Sequence, residues 1–427
     1  MSNIEFVGLK SAPSKSLKLK GKKVHVTDQV SCTNTRIYMK RYEDFVQYHG
    51  AVSTKNIKEA DIILVDTCAV TQQREDMSLE MVKKSETLAK GGAKIIVCGC
   101  LAGINPKRLQ EYYKGDFFSP KNEKHLAQIL DLDEEEAKFL DPYNIRGRFM
   151  GADYTDVSLG LRLGIYACTL AHQIDNVISL HWIPWLGRFL DYSQAANVKA
   201  YAISVSQGCL GNCSFCVIPM SKGETASLPI SFIIEKIQSL CADGVKKIIL
   251  TSEDVGAYGV DLGATVVDLL EHIHRIKEEF YLYINFIDPR WLRLHGSDLV
   301  KISKLGKIRF LQFPLQSGSN SVLRRMRRAY QMEQVLPHIL EFRRRAPKVT
   351  LGTQIIAGFP GETLEELEET RQIVKKNYFH RTDIIDFTNR PGADTEKMDS
   401  HLPQDEIRKR VCLLQKEIRT PFIMPSY

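Results

Sequence analysis

Three of the chain's ten cysteines, Cys209, Cys213 and Cys216, fall in one short stretch, VSQGCLGNCSFC, spaced C-x-x-x-C-x-x-C. Structural zinc takes a closed set of four Cys or His ligands, usually built from C-x-x-C pairs. No further Cys or His follows this triplet within twenty residues. Iron–sulfur clusters are held by thiolates at such short spacings. Three protein ligands on a four-iron cluster leave one iron open to a small molecule. A second set is dispersed: Cys32 follows VHVTDQVS, Cys68 follows IILVDT and Cys100 follows IIVCG. Each lies just beyond a predicted strand, where parallel strands converge on a crevice. Three buried cysteines are one reading, since Cys packs as a small hydrophobe. The equivalent positions, beside the first triplet, favour a second cluster. Cys98 is expected in the core, and Cys168, Cys241 and Cys412 have no evident partners.

Other groups surround these thiols. LTSEDVGAYG ends a predicted strand with Ser252, Glu253 and Asp254, whose oxygens could accept from ribose hydroxyls or a methionyl amine; a loop of solvated acids is the plainer alternative. VLRRMRRAY and EFRRRAPK concentrate Arg324, Arg325, Arg327, Arg328, Arg343, Arg344, Arg345 and Lys348. Such a run is usually a solvated helix face, and it also suits a polyanion such as RNA. Thr363 and Glu366 form a T-x-x-E capping box, making GFPGET a strand-to-helix turn whose glycines let backbone approach a ligand.

The elements that must position these residues form two alternating units. In the first, residues 22–140, the apolar runs KKVHVTD, ADIILVDT and AKIIVC read as buried strands separated by helical stretches such as EDMSLEMVKKSETLAKGG. Strands alternating with helices predict a doubly wound parallel sheet. Residues 141–199 read as an inter-domain connection with some helix. From residue 200 to about 400 a second alternation begins with AYAISVS and continues through about six strand–helix repeats. A complete eight-unit barrel needs about 250 residues, so a partial (β/α)6 barrel is expected, with its active site at the carboxyl ends of the strands. In PISFIIEKIQSLCADG, Ile230, Ile233, Ile234, Ile237, Leu240 and Cys241 share one helix face. Residues 1–21 read as a disordered basic arm and 401–427 as one helix and a tail.

The whole chain has 427 residues, 44% hydrophobic and 26% charged, with a formal net charge of +7. That composition is globular. The longest apolar candidate, VISLHWIPWLGRFL, is shorter than the roughly 18 residues a membrane span requires. The N-terminal segment lacks the apolar core of a signal peptide. A cytoplasmic, membrane-free protein is expected, in a reducing compartment where clustered cysteines bind metal or do redox work.

On GCLGNCSFC, with Phe215 before the last cysteine, the sequence resembles the radical S-adenosylmethionine enzymes. The resemblance implies a 4Fe–4S cluster on Cys209, Cys213 and Cys216 whose open iron chelates S-adenosylmethionine. The reduced cluster cleaves that cofactor to a 5′-deoxyadenosyl radical. VDTCAV, CGCL, FPLQSGSNSVLRRMRRAY, IIAGFPGET and NRPGAD narrow the likeness to the methylthiotransferase branch, over residues 23 to 400. That branch implies a second 4Fe–4S cluster on Cys32, Cys68 and Cys100, carrying the sulfur. LTSEDVGAYGVDLG is most similar to the enzymes of eukaryotes and archaea that make the 2-methylthio derivative of N6-threonylcarbamoyladenosine beside the tRNA anticodon. The implied assignments are cofactor contact by Phe215, Ser252, Glu253 and Asp254, and tRNA contact by Arg324, Arg325, Arg327 and Arg328. A reductant protein and a sulfur donor are implied partners, and a monomer is expected.

The sequence departs from the family in places. Ser31 precedes Cys32 where Gly is usual. Gln312 and Gln354 replace a frequent His and Asp, and Lys222 replaces Arg before Gly223. After residue 400 too few residues remain for the RNA-binding TRAM barrel of tRNA-acting members. Two alternatives follow: the same chemistry on a protein or peptide side chain, or a non-catalytic metal-cluster protein that binds RNA.

Overall fold

The computed structural model describes residues 18–27, 32–132, 151–153 and 200–418. Residues 1–17 of the expected arm, most of the 141–199 connection with Cys168, and the tail after 418 lie outside the described residues; the arm's last four residues, 18–21, instead form a turn that buries Leu19 in the first unit's core.

The first unit comprises β1 (Lys23–Val26), α1 (Thr33–Tyr48), β2 (Val52–Ser53), β3 (Ile62–Thr67), α2 (Gln72–Leu88), β4 (Lys94–Gly99), α3 (Cys100–Ile104), α4 (Pro106–Tyr112), β5 (Asp116–Phe118) and α5 (His125–Ile129). Its five strands pair in parallel in the order β2-β1-β3-β4-β5. Side chains alternate across a strand, and both faces of this sheet are buried. Ile62, Leu64 and Ile96 join Val24, Tyr42 and Phe45 on one side. Ile63, Val65 and Val97 join Leu79, Val82 and Leu109 on the other. A strand buried on both faces reads as an unbroken apolar run, which is why IILVDT was legible.

The second unit begins with β6 (Gly151–Asp153), β7 (Ala200–Ser204), β8 (Ser206–Gln207), α6 (Ile218–Lys222), β9 (Ala226–Ser227) and α7 (Ile230–Ala242). It continues with β10 (Lys247–Thr251), α8 (Val266–His274), β11 (Tyr281–Ile284), α9 (Leu292–Ser303), β12 (Ile308–Gln312), α10 (Asn320–Arg325), α11 (Met332–Arg345), β13 (Thr350–Ala357), α12 (Leu364–Lys375), β14 (Arg381–Asp386) and α13 (Gln404–Lys416). Six strands run in parallel in the order β14-β13-β12-β11-β10-β7, and β6 adds an antiparallel edge beside β7. The expected architecture, a parallel α/β sheet followed by a six-stranded partial barrel, is the one found. The segment read only as a connection therefore supplies a strand. In α7, Ile233, Ile237 and Leu240 are buried in the barrel core, with Ile230, Ile234 and Cys241 packed at its edge. Thr363 and Glu366 form the expected capping box at the start of α12.

Candidate functional site

The loop after β7 carries the cysteine triplet. Gly208 turns the chain with φ 80°, and a Cβ there would lie 1.9 Å from the Glu224 carbonyl oxygen, so only glycine fits. The Cys209 amide donates to Gly223 O at 3.2 Å, and the Cys216 amide to Cys213 O at 3.0 Å. Ser214 pins the loop to the end of α10, donating through Oγ to Arg325 O at 2.8 Å and through its amide to Met326 O at 3.1 Å. The Phe215 ring packs in an apolar cluster with Val322, Met326, Ile356, Phe359 and Phe387, so it anchors the loop to the core. The Cys209 and Cys213 sulfurs lie 3.1 and 3.8 Å from the point where a Cβ on Gly211 would sit. Burial pushes the Cys209 and Cys216 thiols up to about 12. At neutral pH they keep their protons in spite of Arg290 and Arg328 nearby; a bound metal would hold them as thiolates.

The dispersed cysteines converge as well. Cys32 is the N-cap of α1. Cys68 follows β3, held by Ser78, whose Oγ accepts from the Cys68 amide and donates to its carbonyl, both at 2.9 Å. Cys100 opens α3 directly from β4, through Gly99 at φ 107°, where a Cβ would strike Thr67 O at 2.3 Å. The Cys68 thiol is pushed up to about 12, first by burial and then by the charges of Cys100 and Cys32, which places the three within electrostatic reach. Among the described residues, no three His, Cys, Asp or Glu side chains are grouped so as to hold a metal ion. A four-iron cluster attaches each thiolate to a different iron and suits a wider set than one zinc ion does. Three converging thiols per site fit that donor chemistry, and the close approach of both sulfurs to Gly211 leaves no room for a side chain.

The two sets meet through short helices. α6 begins two residues past Cys216 and packs on α3. A Cβ on Gly103 would lie 2.7 Å from the Ser221 Cα, so glycine lets the backbones touch. This crossing puts Ser221 and Lys222 against Cys100, whose thiol is raised by burial while Lys222 holds it down. Lys222 is buried, its ammonium 3.7 Å from the Tyr38 ring centroid, and has no hydrogen-bond acceptor among the described residues.

The acidic strand end is not a loop of solvated acids: Ser252 and Asp254 are buried, and Glu253 is partnered. Both oxygens of Glu253 bind protein: Oε1 accepts from Asn34 and Tyr38 at 3.3 Å each, and Oε2 from the Gly208 amide at 3.1 Å. It joins α1 to the barrel, and burial raises its carboxyl against the pull of Lys222. Asp254 accepts from the Gly256 and Asp288 amides at 3.1 and 3.0 Å and from Trp291 Nε1 at 2.9 Å. Buried carboxylates need such partners, and these two acids form walls of the site. Ser252 is buried with Oγ unpartnered among the described residues.

The arginine run divides. Arg324 and Arg327 are exposed, and Arg327 pairs with Asp394 at 2.6 Å on the surface. Arg325 forks onto Glu366 at 2.8 and 2.7 Å, which holds that carboxyl down at about 2. Arg328 points inward: it meets Asp288 at 2.8 Å, Pro314 O at 2.9 Å and the Cys213 sulfur at 3.4 Å. Its expected contact with RNA is thus corrected, because its guanidinium is buried at the cysteine loop. Asp288, Arg290 and Trp291, just past β11, were missed. The signal available was their position at the carboxyl end of a barrel strand. Lys222 stood out in the sequence only as a departure from the family and Arg390 only as part of NRPGAD; their buried contacts come from the packing of the two units.

Residues 203–374 match the family model described as Radical SAM superfamily, and residues 24–118 match Uncharacterized protein family UPF0004. The chain is 28% identical over 375 residues to a probable threonylcarbamoyladenosine tRNA methylthiotransferase of Methanocaldococcus jannaschii, covering 87% of this chain and 77% of that one. It is 30% identical over 354 residues to the threonylcarbamoyladenosine tRNA methylthiotransferase of Homo sapiens, covering 82% and 55%. A tRNA-2-methylthio-N(6)-dimethylallyladenosine synthase of Campylobacter jejuni is 26% identical over 412 residues, covering 93% and 83%. The chain thus spans about three-quarters of the archaeal relative and little over half of the human one. Among solved structures, the radical S-adenosylmethionine methyltransferase TsrM of Kitasatospora setae superposes with TM-score 0.60 at 12% identity, over 88% of this chain and 77% of that one. The cobalamin-dependent S-adenosylmethionine radical enzyme OxsB superposes with TM-score 0.53 at 12% identity, over 92% and 56%. These two likenesses are of fold. The chain thus carries a radical SAM domain at residues 203–374 behind a UPF0004 domain at residues 24–118.

Proposed function

We propose that the protein is a tRNA methylthiotransferase that adds a 2-methylthio group to N6-threonylcarbamoyladenosine beside the anticodon. The superfamily implies S-adenosylmethionine and one 4Fe–4S cluster, for which Cys209, Cys213 and Cys216 are the ligands in this reading. Cys32, Cys68 and Cys100 hold a second cluster. When bound, the first cluster and its cofactor supply a radical that abstracts hydrogen from carbon, and the second supplies sulfur. The chain's own residues orient and enclose these groups. Glu253, Asn34 and Tyr38 join the helix that follows Cys32 to the barrel. Arg324 and Arg327 offer exposed charge to a phosphate backbone.

The observation that carries the reading is the crossing of α6 on α3 at Gly103, which brings the chain six residues past Cys216 against Cys100. A radical made at one cysteine set and sulfur held at the other are useful together only at such short range. Relatives named for this reaction support that substrate. A cytoplasmic location suits a tRNA substrate, and among the described residues no helix is long and apolar enough to cross a membrane. A reductant protein and a sulfur donor complete the expected partners. Mass spectrometry of nucleosides from tRNA digests, comparing a deletion strain with its parent, tests the reading. Loss of the 2-methylthio-threonylcarbamoyl-adenosine signal is expected, and an unchanged signal would overturn the assignment.

A further inference from the structure

The signature stretch after β12 places successive arginines on opposite sides of the chain. α10 ends with Arg327 in the left-handed region at φ 56°. The Arg328 amide bonds Leu323 O at 2.8 Å and the Arg327 amide bonds Arg324 O at 3.0 Å. This is a Schellman turn, in which glycine ordinarily occupies the left-handed position. A side chain there costs roughly 1–2 kcal/mol, and such strain concentrates at functional sites. The turn directs Arg327 to the surface and Arg328 into the protein, where its side chain is 6% exposed.

Among the described residues, the Arg328 guanidinium meets the cysteine loop, its walls and the Tyr330 ring, whose centroid lies 5.5 Å away. Nη1 lies 2.8 Å from Asp288 Oδ2 and 3.4 Å from Cys213 Sγ, and Nη2 donates to Pro314 O at 2.9 Å. Asp288 is itself bound by Arg290 at 3.3 Å, and Arg290 reaches Asp254 at 3.4 Å. The same nitrogen, Nη1, therefore reaches both the Asp288 carboxylate and the Cys213 sulfur. Hydrogen bonds to cluster sulfurs and nearby positive charge favour the more negative, reduced state of an iron–sulfur centre.

We propose that Arg328 is a positioning residue for the cluster on Cys209, Cys213 and Cys216, fixed by Asp288 so that it donates to the Cys213 sulfur and eases one-electron reduction. This rests on the reading of those three cysteines as ligands, and is independent of the substrate. The bland alternative is that Arg328 only neutralises Asp288.

The test uses the full chain with Cys32, Cys68 and Cys100 each changed to Ala, so that one cluster remains after anaerobic reconstitution. Reduction is followed by electron paramagnetic resonance against applied potential, without S-adenosylmethionine. In this background Arg328→Gln is expected to disfavour reduction about tenfold, a midpoint about 59 mV more negative for one electron. Arg328→Lys keeps the charge beside Asp288 but loses the planar fork, and moves the midpoint in the same direction by less. It also serves where Arg328→Gln does not retain iron. A parental midpoint in either iron-loaded variant overturns the proposal, including when iron content or thermal stability falls. Absence of iron from the parent would instead refute the ligand assignment itself.

Discussion

Cys68, Cys209 and Cys216 carry thiols pushed up to about 12, chiefly by burial. An unfolded chain releases those protons near pH 8.5. Above that pH the folded, iron-free protein binds more protons than the unfolded one, so its stability falls as pH rises; below it the contribution is complete. The iron-free protein is expected to keep its thermal midpoint from about pH 7 to 8 and lose it progressively toward pH 10. Reconstituted protein, with its thiolates already formed, is expected to gain stability as pH rises toward about 8.5 and to level off above it. Scanning calorimetry of both forms checks this, and parallel curves would show that the thiols are not what titrates.

At the scale of elements, the contact that matters is two short helices, neither able to fold alone. α3 is held by β4 through Gly99, and α6 by the cysteine loop. Gly103 sets their separation, since any Cβ there must push Ser221 away. Gly103→Val is expected to destabilise by about 1–3 kcal/mol, the usual range for overpacking. Both cysteine sets should still load iron, because neither contains this residue, while methylthio transfer falls sharply as the two sites separate. Iron content, melting temperature and tRNA nucleoside analysis on one preparation separate these effects. Full transfer in a protein that has lost stability would refute the crossing as the link between the sites.

Across the whole molecule the two units are joined by buried charge as well as apolar packing. Arg390, from the NRPGAD segment after β14, is 2% exposed and pairs with Glu75 of α2, whose side chain is 1% exposed. Arg390 also donates to Gln72 at 3.1 Å, and Glu75 takes Arg108 at 2.7 Å and Asn105 at 2.9 Å. Breaking a buried pair by removing one partner costs about 3–5 kcal/mol. Arg390→Met should approach the lower end, because Arg108 remains beside Glu75. Adding Glu75→Met should recover part of the loss, since no unpaired carboxylate is then buried. Denaturant unfolding of the single and double variants checks this, and a single-variant loss within experimental error would mean that the units are held elsewhere.

The sequence by itself determined whatever is written locally. The triplet spacing lies within one loop. The alternation of apolar runs and helices named both sheets, and Thr363 with Glu366 announced the start of α12. The thiols at three strand ends followed from the parallel topology, which places such ends together. Tertiary structure alone decided where polar side chains turned. Arg327 and Arg328 are adjacent and alike in sequence, yet a left-handed residue without glycine sends one to solvent and the other to Cys213. Glu253 looked like an open acceptor because its donors, Asn34 and Tyr38, lie more than two hundred residues away. Arg390 and Glu75, or Lys222 and Cys100, meet only because one sheet docks on the other. Periodicity records which face of an element is buried. It does not record which distant charge that face will meet, because such pairings depend on the packing of the two units.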